Sequence, residues 1–536
     1  MALLANLFRI LTTAVFSAGP GLVATLLAAV CLLPACGSLP ALKLMADTRA
    51  LPVDSSAPLA KIVAASTPQG EHSGFRLMPL GVYSLDARLE LAKRATRSLD
   101  VQYYVIENDG AGRLLLRALK QAAQRGVQVR LLVDDLYTAH TEQLLLALGA
   151  TPNIEIRLFN PFCCARSSLT ARFVASALDI GRLNHRMHNK LFVADGALAV
   201  VGGRNIADEY FTLGASQNFI DMDALVAGQV VADLTAIFDR YWNSREVYPL
   251  AVIATPQADT ASMTADFDSR VDMAGAGPTV TLPPTDVLGY GPISEELDAG
   301  IVGFLWGHAE AVADPPEKLR SMTPDQAYDT SVTKRFWAEV QSAQRDAFIT
   351  SPYLVPGERG LAHLRVLQGR EIAVTLLTNS LAANDEPIVH SGYARYRERI
   401  LQAGADLYEL SPARTTRGLR LGMFGSSLGR LHSKTAVIDR RRVFIGSVNL
   451  DPRSATQNTE MGLFIDSPQL AREMLRIINI SRLENAYRVR LDKFGKLEWL
   501  AIDGDKEVVL HSEPEASWFT RFKVWLLGPL IPESLL

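Results

Sequence analysis

The sequence predicts an α/β protein of two homologous domains, each a mostly parallel sheet flanked by helices, related by a pseudo-twofold axis. Three observations carry that expectation. Short β-branched and aromatic runs alternate with stretches of helical period. The alternation occurs twice in the same order, and one block of polar residues recurs with the same internal spacing in each half. Length agrees, since 536 residues exceed one ordinary domain. With 48% apolar and 21% charged residues, the chain is too rich in core-forming side chains for disorder and too charged to lie wholly within a membrane.

In the first half, Leu99–Val105 is a strand, Gly112–Arg125 a helix and Val127–Asp134 a second strand. A helix follows His140-Thr141-Glu142, and Ile154–Phe159 makes a third strand. The second half repeats the order: strand Ala347–Tyr353, helix 359–368, strand Glu371–Thr378, a helix after His390, and strand Leu407–Leu410. Between them, 251–330 is enriched in Ala, Thr, Asp, Pro and Gly and reads as a surface connection with one strand, Ile301–Trp306. The domains are therefore set at 75–250 and 331–500. A segment over 501–536 carries Trp518, Phe519, Phe522, Trp525 and Leu526 on one helical face beside Arg521 and Lys523, a pattern of core packing or of a helix lying in a membrane interface.

Residues 1–36 read as a secretory signal: one charge, Arg9, then an apolar run from Gly21 to Leu33 and small residues. The stretch Leu33-Pro34-Ala35-Cys36 resembles the bacterial lipoprotein box, which implies lipidation at Cys36. The other reading is an uncleaved anchor helix. Either holds the protein at a membrane of the bacterial cell envelope, the lipoprotein facing the periplasm. Residues 37–74, rich in Ala, Pro, Ser and Thr, form a tether. A net charge of −3 gives no general attraction to polyanions, so no nucleic-acid partner is expected. Four cysteines match neither a disulfide framework nor a zinc site; Cys163 and Cys164 read as small, half-buried side chains.

The repeated block carries the chemistry. The first half has His188, Lys190, Asp195, Gly202 and Asn205; the second has His432, Lys434, Asp439, Gly446 and Asn449. Positions i and i+2 of a strand share a face, so each His and Lys project together. Asp195-Gly196 is a hairpin signal, and the returning strand ends in a glycine corner that brings each Asn beside its His. Each half thus offers an imidazole, an ammonium and an amide suited to a phosphate.

Both blocks resemble the HxK(x)4D(x)6G(S/G)xN signature of the phospholipase D superfamily, and the match covers about residues 75–500. Phe159–Phe162, Asp451–Ser454 and Asn458-Thr459-Glu460 are most similar to bacterial cardiolipin synthases of the C type. The first block carries Gly203 where the family has serine and Ser447 stands in the second, a loss expected to matter modestly. The resemblance implies a covalent phosphohistidine, with His188 the expected nucleophile and His432 the acid. Lys190, Lys434, Asn205, Asn449 and Ser447 would bind the phosphate. Asp221 is expected to orient His188 and Glu460 to orient His432, with Asp223 a competitor. Asp195 and Asp439 belong to the catalytic motif, yet their turn positions suit structural support. Arginines before each block (Arg166, Arg172, Arg182 and Arg186; Arg414, Arg417, Arg420 and Arg430) are either solvated or poised for an anionic headgroup. No cofactor or metal is called for.

The leading reading is a phosphatidyl transferase that makes cardiolipin from phosphatidylglycerol and a second phospholipid such as phosphatidylethanolamine. Phospholipase D hydrolysis to phosphatidic acid differs only in the acceptor. A nuclease needs a longer basic channel, and an inactive membrane scaffold would show a broken block in one half. Oligomeric state is left open by the sequence.

Overall fold

The computed structural model describes residues 39–41, 46–70, 72–275, 282–320, 322–417, 428–503, 506–530 and 532–533. The leader with Cys36, and Arg420, lie outside the described residues, as does the side chain of Arg417.

Each half is built on three strands joined by helices, and these are the parallel ones. They are Ser98–Tyr103, Gln128–Asp134 and Ile154–Phe159 in the first half. Asp346–Thr350, Ala373–Asn379 and Asp406–Leu410 form the second set. The first crossover shows why the chain folds this way. Asp109 caps helix Gly110–Gln124 by accepting from Gly112 N, and the helix buries Leu115, Leu116, Leu119, Ala122 and Ala123 against the sheet. Each parallel set is followed by a pair of strands whose link is too short for a crossover. Strands Leu191–Ala194 and Leu198–Gly202 form an antiparallel hairpin, as do Thr435–Ile438 and Arg442–Gly446. Each hairpin lies antiparallel against the first strand of its half.

All these strands belong to one 18-stranded sheet. Strand Leu305–Ala313 joins the halves: its first residues pair with Ser73–Met78 and the rest with Met461–Asp466. The expected strand Ile301–Trp306 is therefore shifted and longer. Its side chains are only half-buried along most of its length, so pairing on both edges rather than an apolar face holds it, and its hydropathy pattern is weak. The connection is also more than a surface loop. Helix Thr260–Gly275 sends Phe267 and Val271 into the first-half core. The tether is shorter than expected, because helix Pro58–Ser66 buries Leu59 and Ile62 in the same core. A further core is shared, with Val193 and Val201 of one half against Val437 and Ile445 of the other.

A second sheet of two strands ties the halves near the site: Gln217–Ile220 runs parallel to Leu428–Leu431. Among the described residues, no helix is long and apolar enough to cross a membrane.

Candidate active site

The two blocks arrive at one cavity of about 420 Å³, whose wall includes His188, His432, Asn205 and Asn449. Backbone contacts between the halves set each histidine. His188 N donates to Thr459 O at 2.9 Å, which lays Glu460 of the second half alongside the first-half imidazole. His432 N donates to Ile220 O at 2.8 Å, which lays Asp221 of the first half alongside the second-half imidazole. Carboxylates only accept hydrogen bonds, so the proton sits on Nδ1 in both rings and Nε2 keeps its lone pair. His188 Nδ1 donates to Glu460 Oε2 at 2.9 Å, and His432 Nδ1 donates to Asp221 Oδ2 at 2.6 Å.

The expected pairing is thus corrected: Asp221 serves His432 and Glu460 serves His188. The reason is two contacts between the halves: 217–220 pairs with 428–431 and places Asp221 by His432, and Met187 bridges to Thr459 and places Glu460 by His188. Asp223 does not compete. It is buried under Ser84, whose hydroxyl donates at 2.6 Å, and Arg88, at 2.9 Å.

Burial lowers the pKa of His188 to about 4, opposed by Glu460 and helped by Lys190. Burial and then the Lys434 charge lower His432 to about 3. Asp221 is held at about 2: burial raises it, and His432 and Lys434 together outweigh that. Near neutral pH both rings are therefore neutral and both carboxylates charged. Burial also takes the Lys190 ammonium well below its ordinary value and Lys434 to about 8, against the pull of the same carboxylates. Lys190 Nζ donates to His188 O at 2.6 Å, and Lys434 Nζ lies 3.0 Å from the His432 ring nitrogens.

The glycine corners bring the strands close. A Cβ on Gly203 would sit 2.2 Å from Asp221 Oδ1. The absent serine is therefore not a lost hydroxyl of modest effect; the short aspartate fills the space a side chain would need. In the other half the longer Glu460 leaves room for Ser447, whose hydroxyl donates to it, while Ser454 Oγ donates to Glu460 Oε1 at 2.7 Å. Asn205 Nδ2 donates to Tyr210 OH at 3.1 Å. Among the described residues the Oδ1 atoms of Asn205 and Asn449 are buried without a partner, so each amide oxygen is open to a donor.

Asp195 and Asp439 stand away from the cavity. Asp195 Oδ1 accepts from Arg97 N at 2.8 Å and Ser98 N at 3.0 Å; Asp439 Oδ1 accepts from Arg345 N at 2.8 Å. Both sit at positive φ in the hairpin turns and cap the loop that opens the neighbouring strand.

The arginine-loop reading is overturned for Arg166, Arg172, Arg182 and Arg414. Arg166 and Arg172 are tied to Asp135 and Glu142, Arg182 to Asp179, and Arg414 to Asp503. Sequence alone does not reveal these partners. Arg186 remains at the cavity wall, held by Asp134 at 3.0 Å, and Arg453 joins it, donating to Asn184 Oδ1 at 2.8 Å.

Sequence reasoning passed over other parts of the wall. Tyr104 and Tyr210 stand edge-on to His188 and His432 at 5.2 and 5.0 Å between ring centres. Tyr104 follows directly on a parallel strand, where open α/β sheets place ligands, and that rule could have found it. Glu107, Glu209, Asp385 and Glu386 add acidic groups, three of them (Glu107, Glu209 and Glu386) with pKa raised first by burial.

Two α/β domains that pool one His-x-Lys block each into a single cavity define the class, an enzyme of the phospholipase D superfamily. Comparison with known proteins gives the branch: the chain belongs to the family described as cardiolipin synthase, PLD-like domain, which matches residues 89–242 and 336–480. It is 38% identical over 467 residues to cardiolipin synthase C of Escherichia coli, covering 84% of this chain and 94% of that relative. It is 26% identical to cardiolipin synthase A of Pseudomonas fluorescens, over 78% of this chain and 72% of that one. The fold matches the crystal structure of phosphatidylserine synthase from Haemophilus influenzae with a TM-score of 0.54 at 15% identity, over 86% of this chain and 95% of that one.

Proposed function

We propose that this protein transfers a phosphatidyl group from a second phospholipid, such as phosphatidylethanolamine, to the free glycerol hydroxyl of phosphatidylglycerol, making cardiolipin at a membrane. The observation that carries the reading is the pair of neutral imidazoles on one cavity, each fixed in the Nδ1–H tautomer by a carboxylate from the opposite half. The relatives named cardiolipin synthase support the substrate class.

In this reading His188 Nε2 attacks phosphorus, the bond to the leaving headgroup oxygen breaks, and His432, protonated when the phosphodiester anion binds, gives that oxygen its proton. The neutral His432 then takes the proton of the acceptor hydroxyl, which attacks the phosphohistidine and frees His188. Two features support this division. Glu460 divides its acceptor capacity among His188, Ser447 and Ser454, whereas Asp221 Oδ2 accepts from His432 at the shorter distance of 2.6 Å and holds that ring as the proton carrier. A bound phosphodiester anion would further raise His432 from its depressed value. Asn205, Asn449 and the two lysines would stabilise the charge growing on the non-bridging oxygens. Lipidation at Cys36 would hold the enzyme on the periplasmic face of an envelope membrane.

The test is to incubate the purified full chain with labelled phosphatidylglycerol, with and without phosphatidylethanolamine, and resolve the lipids. Cardiolipin is the expected product. Phosphatidic acid alone would replace the reading with hydrolysis, and no turnover of either lipid would overturn it.

A further inference from the structure

We infer that the mouth of the cavity docks on a lipid bilayer through two apolar patches, one from each half of the molecule. The inference rests on the phospholipid-transfer reading of the site and adds the surface by which the substrate is reached.

The first patch lies on helix Trp518–Leu527, which has no buried residue. Trp518, Phe519, Phe522, Trp525 and Leu526 are exposed, the two tryptophans by 70% and 71%. Their spacing puts them on one face, where Trp518, Phe522 and Trp525 stack in a row at 5.4 and 5.9 Å. This face is not waiting for a place in the core, because the chain is fastened at both ends of the helix. Before it, Glu513 pairs with the buried Arg397 at 2.8 Å, and Glu515 accepts from Tyr487 OH at 2.8 Å. After it, Gly528 O accepts from Arg395 and Glu533 from Tyr396 OH at 2.7 Å. The helix packs on Pro387–Ala394, whose Val389 and flanking Glu386 line the cavity. Lys523 is near enough for its charge to act on the Glu386 carboxyl.

The second patch lies on the opposite wall. Helix Leu169–Ala175 and the short turns over 177–183 send Leu169, Phe173 and Leu183 to the cavity. The same segment leaves Val174, Leu178 and Ile180 outward, with Leu178 exposed by 92%. The two walls face each other, since the Glu386 charge acts on Tyr137 of the first half.

A soluble surface does not display tryptophans and a bare leucine on both sides of one opening without use. Aromatic residues interleaved with Arg521 and Lys523 suit the boundary between headgroups and acyl chains. A lipid held there presents its phosphate toward the histidines while its chains stay in the bilayer, so the enzyme avoids extracting them whole.

The test uses the full chain in vesicles of phosphatidylglycerol and phosphatidylethanolamine with brominated acyl chains, which quench tryptophans in contact with them. The expected result is quenching of the wild type that falls by more than half in the Trp518→Phe/Trp525→Phe variant and increases in Leu178→Trp. Trp242, Trp337 and Trp499 are buried and supply a constant background. Leu178→Glu combined with Trp525→Glu is expected to lower turnover of vesicle substrate at least tenfold and to leave turnover of a monomeric short-chain phospholipid within twofold. Unchanged quenching in the tryptophan variant with none added by Leu178→Trp would overturn the inference. So would self-association that shields both patches while vesicles do not quench them, which would make the occupant a second copy. Quenching without any lipid turnover would remove the transfer reading and leave the docking surface standing; turnover in detergent without quenching would do the reverse.

Discussion

His432 takes its carboxylate from the other half of the molecule: its Nδ1 lies 2.6 Å from Asp221 Oδ2, and Glu460 returns the exchange at His188. Neither domain therefore holds a complete site. Asp221→Asn is expected to lower kcat about 10²- to 10⁴-fold with the fold intact, by removing the group that fixes the ring and stabilises its proton. The crossing is read directly by NMR titration. Asp221→Asn shifts the His432 signal and spares His188, and Glu460→Gln does the opposite; the uncrossed result would refute the geometry.

The contrast between Gly203 and Ser447 gives an asymmetric outcome. Gly203→Ser forces its Cβ against Asp221 Oδ1, 2.2 Å away, and should cost about 1–3 kcal/mol of stability along with most activity. Ser447→Ala removes one donor from Glu460, which keeps Ser454, and should retain more activity than Gly203→Ser. Denaturant unfolding and turnover of both variants check the order.

Stability should fall as pH falls from 7 to 4. His188 and His432 have folded pKa values near 4 and 3, below the ordinary 6.5, so the unfolded chain binds more protons across that interval. Their contribution is complete above about 6.5 and is lost toward the folded values. Asp221, held at about 2, acts in the same direction at lower pH. Urea midpoints measured against pH should show the slope, and it should flatten in His188→Ala/His432→Ala.

Asp195→Ala is expected to reduce stability by about 1–3 kcal/mol, because it leaves the amides of Arg97 and Ser98 without their acceptor, while kcat stays within about tenfold of wild type. His188→Ala and His432→Ala should abolish turnover without that loss of stability. A catalytic collapse in the aspartate variant at unchanged stability would contradict a capping role.

Arg172→Ala should unfold the protein more easily rather than raise KM for lipid. Its guanidinium is fully buried between Asp135 and Glu142, and its removal leaves two buried carboxylates sharing the charge of Arg166. Lipid titration beside thermal unfolding separates the two effects.

The repeated α/β order and the two polar blocks were legible because they rest on local rules: strand period, helix period, and the spacing of His, Lys, Asp and Asn along one hairpin. Tyr104 could be found from its place at the end of a parallel strand, but Tyr210 and the acids of the cavity wall share no spacing and were not legible. The same limit applies to Arg166 and Arg172, whose buried partners lie some thirty residues back in the chain.

By itself, the sequence determined which side chains make up the two repeated polar blocks, since residue type and backbone period are local properties. Tertiary structure alone decided which carboxylate serves which histidine. That choice depends on the pairing of residues 217–220 with 428–431 and on the bridge between Met187 and Thr459, and no local rule specifies which distant segment a short strand will join.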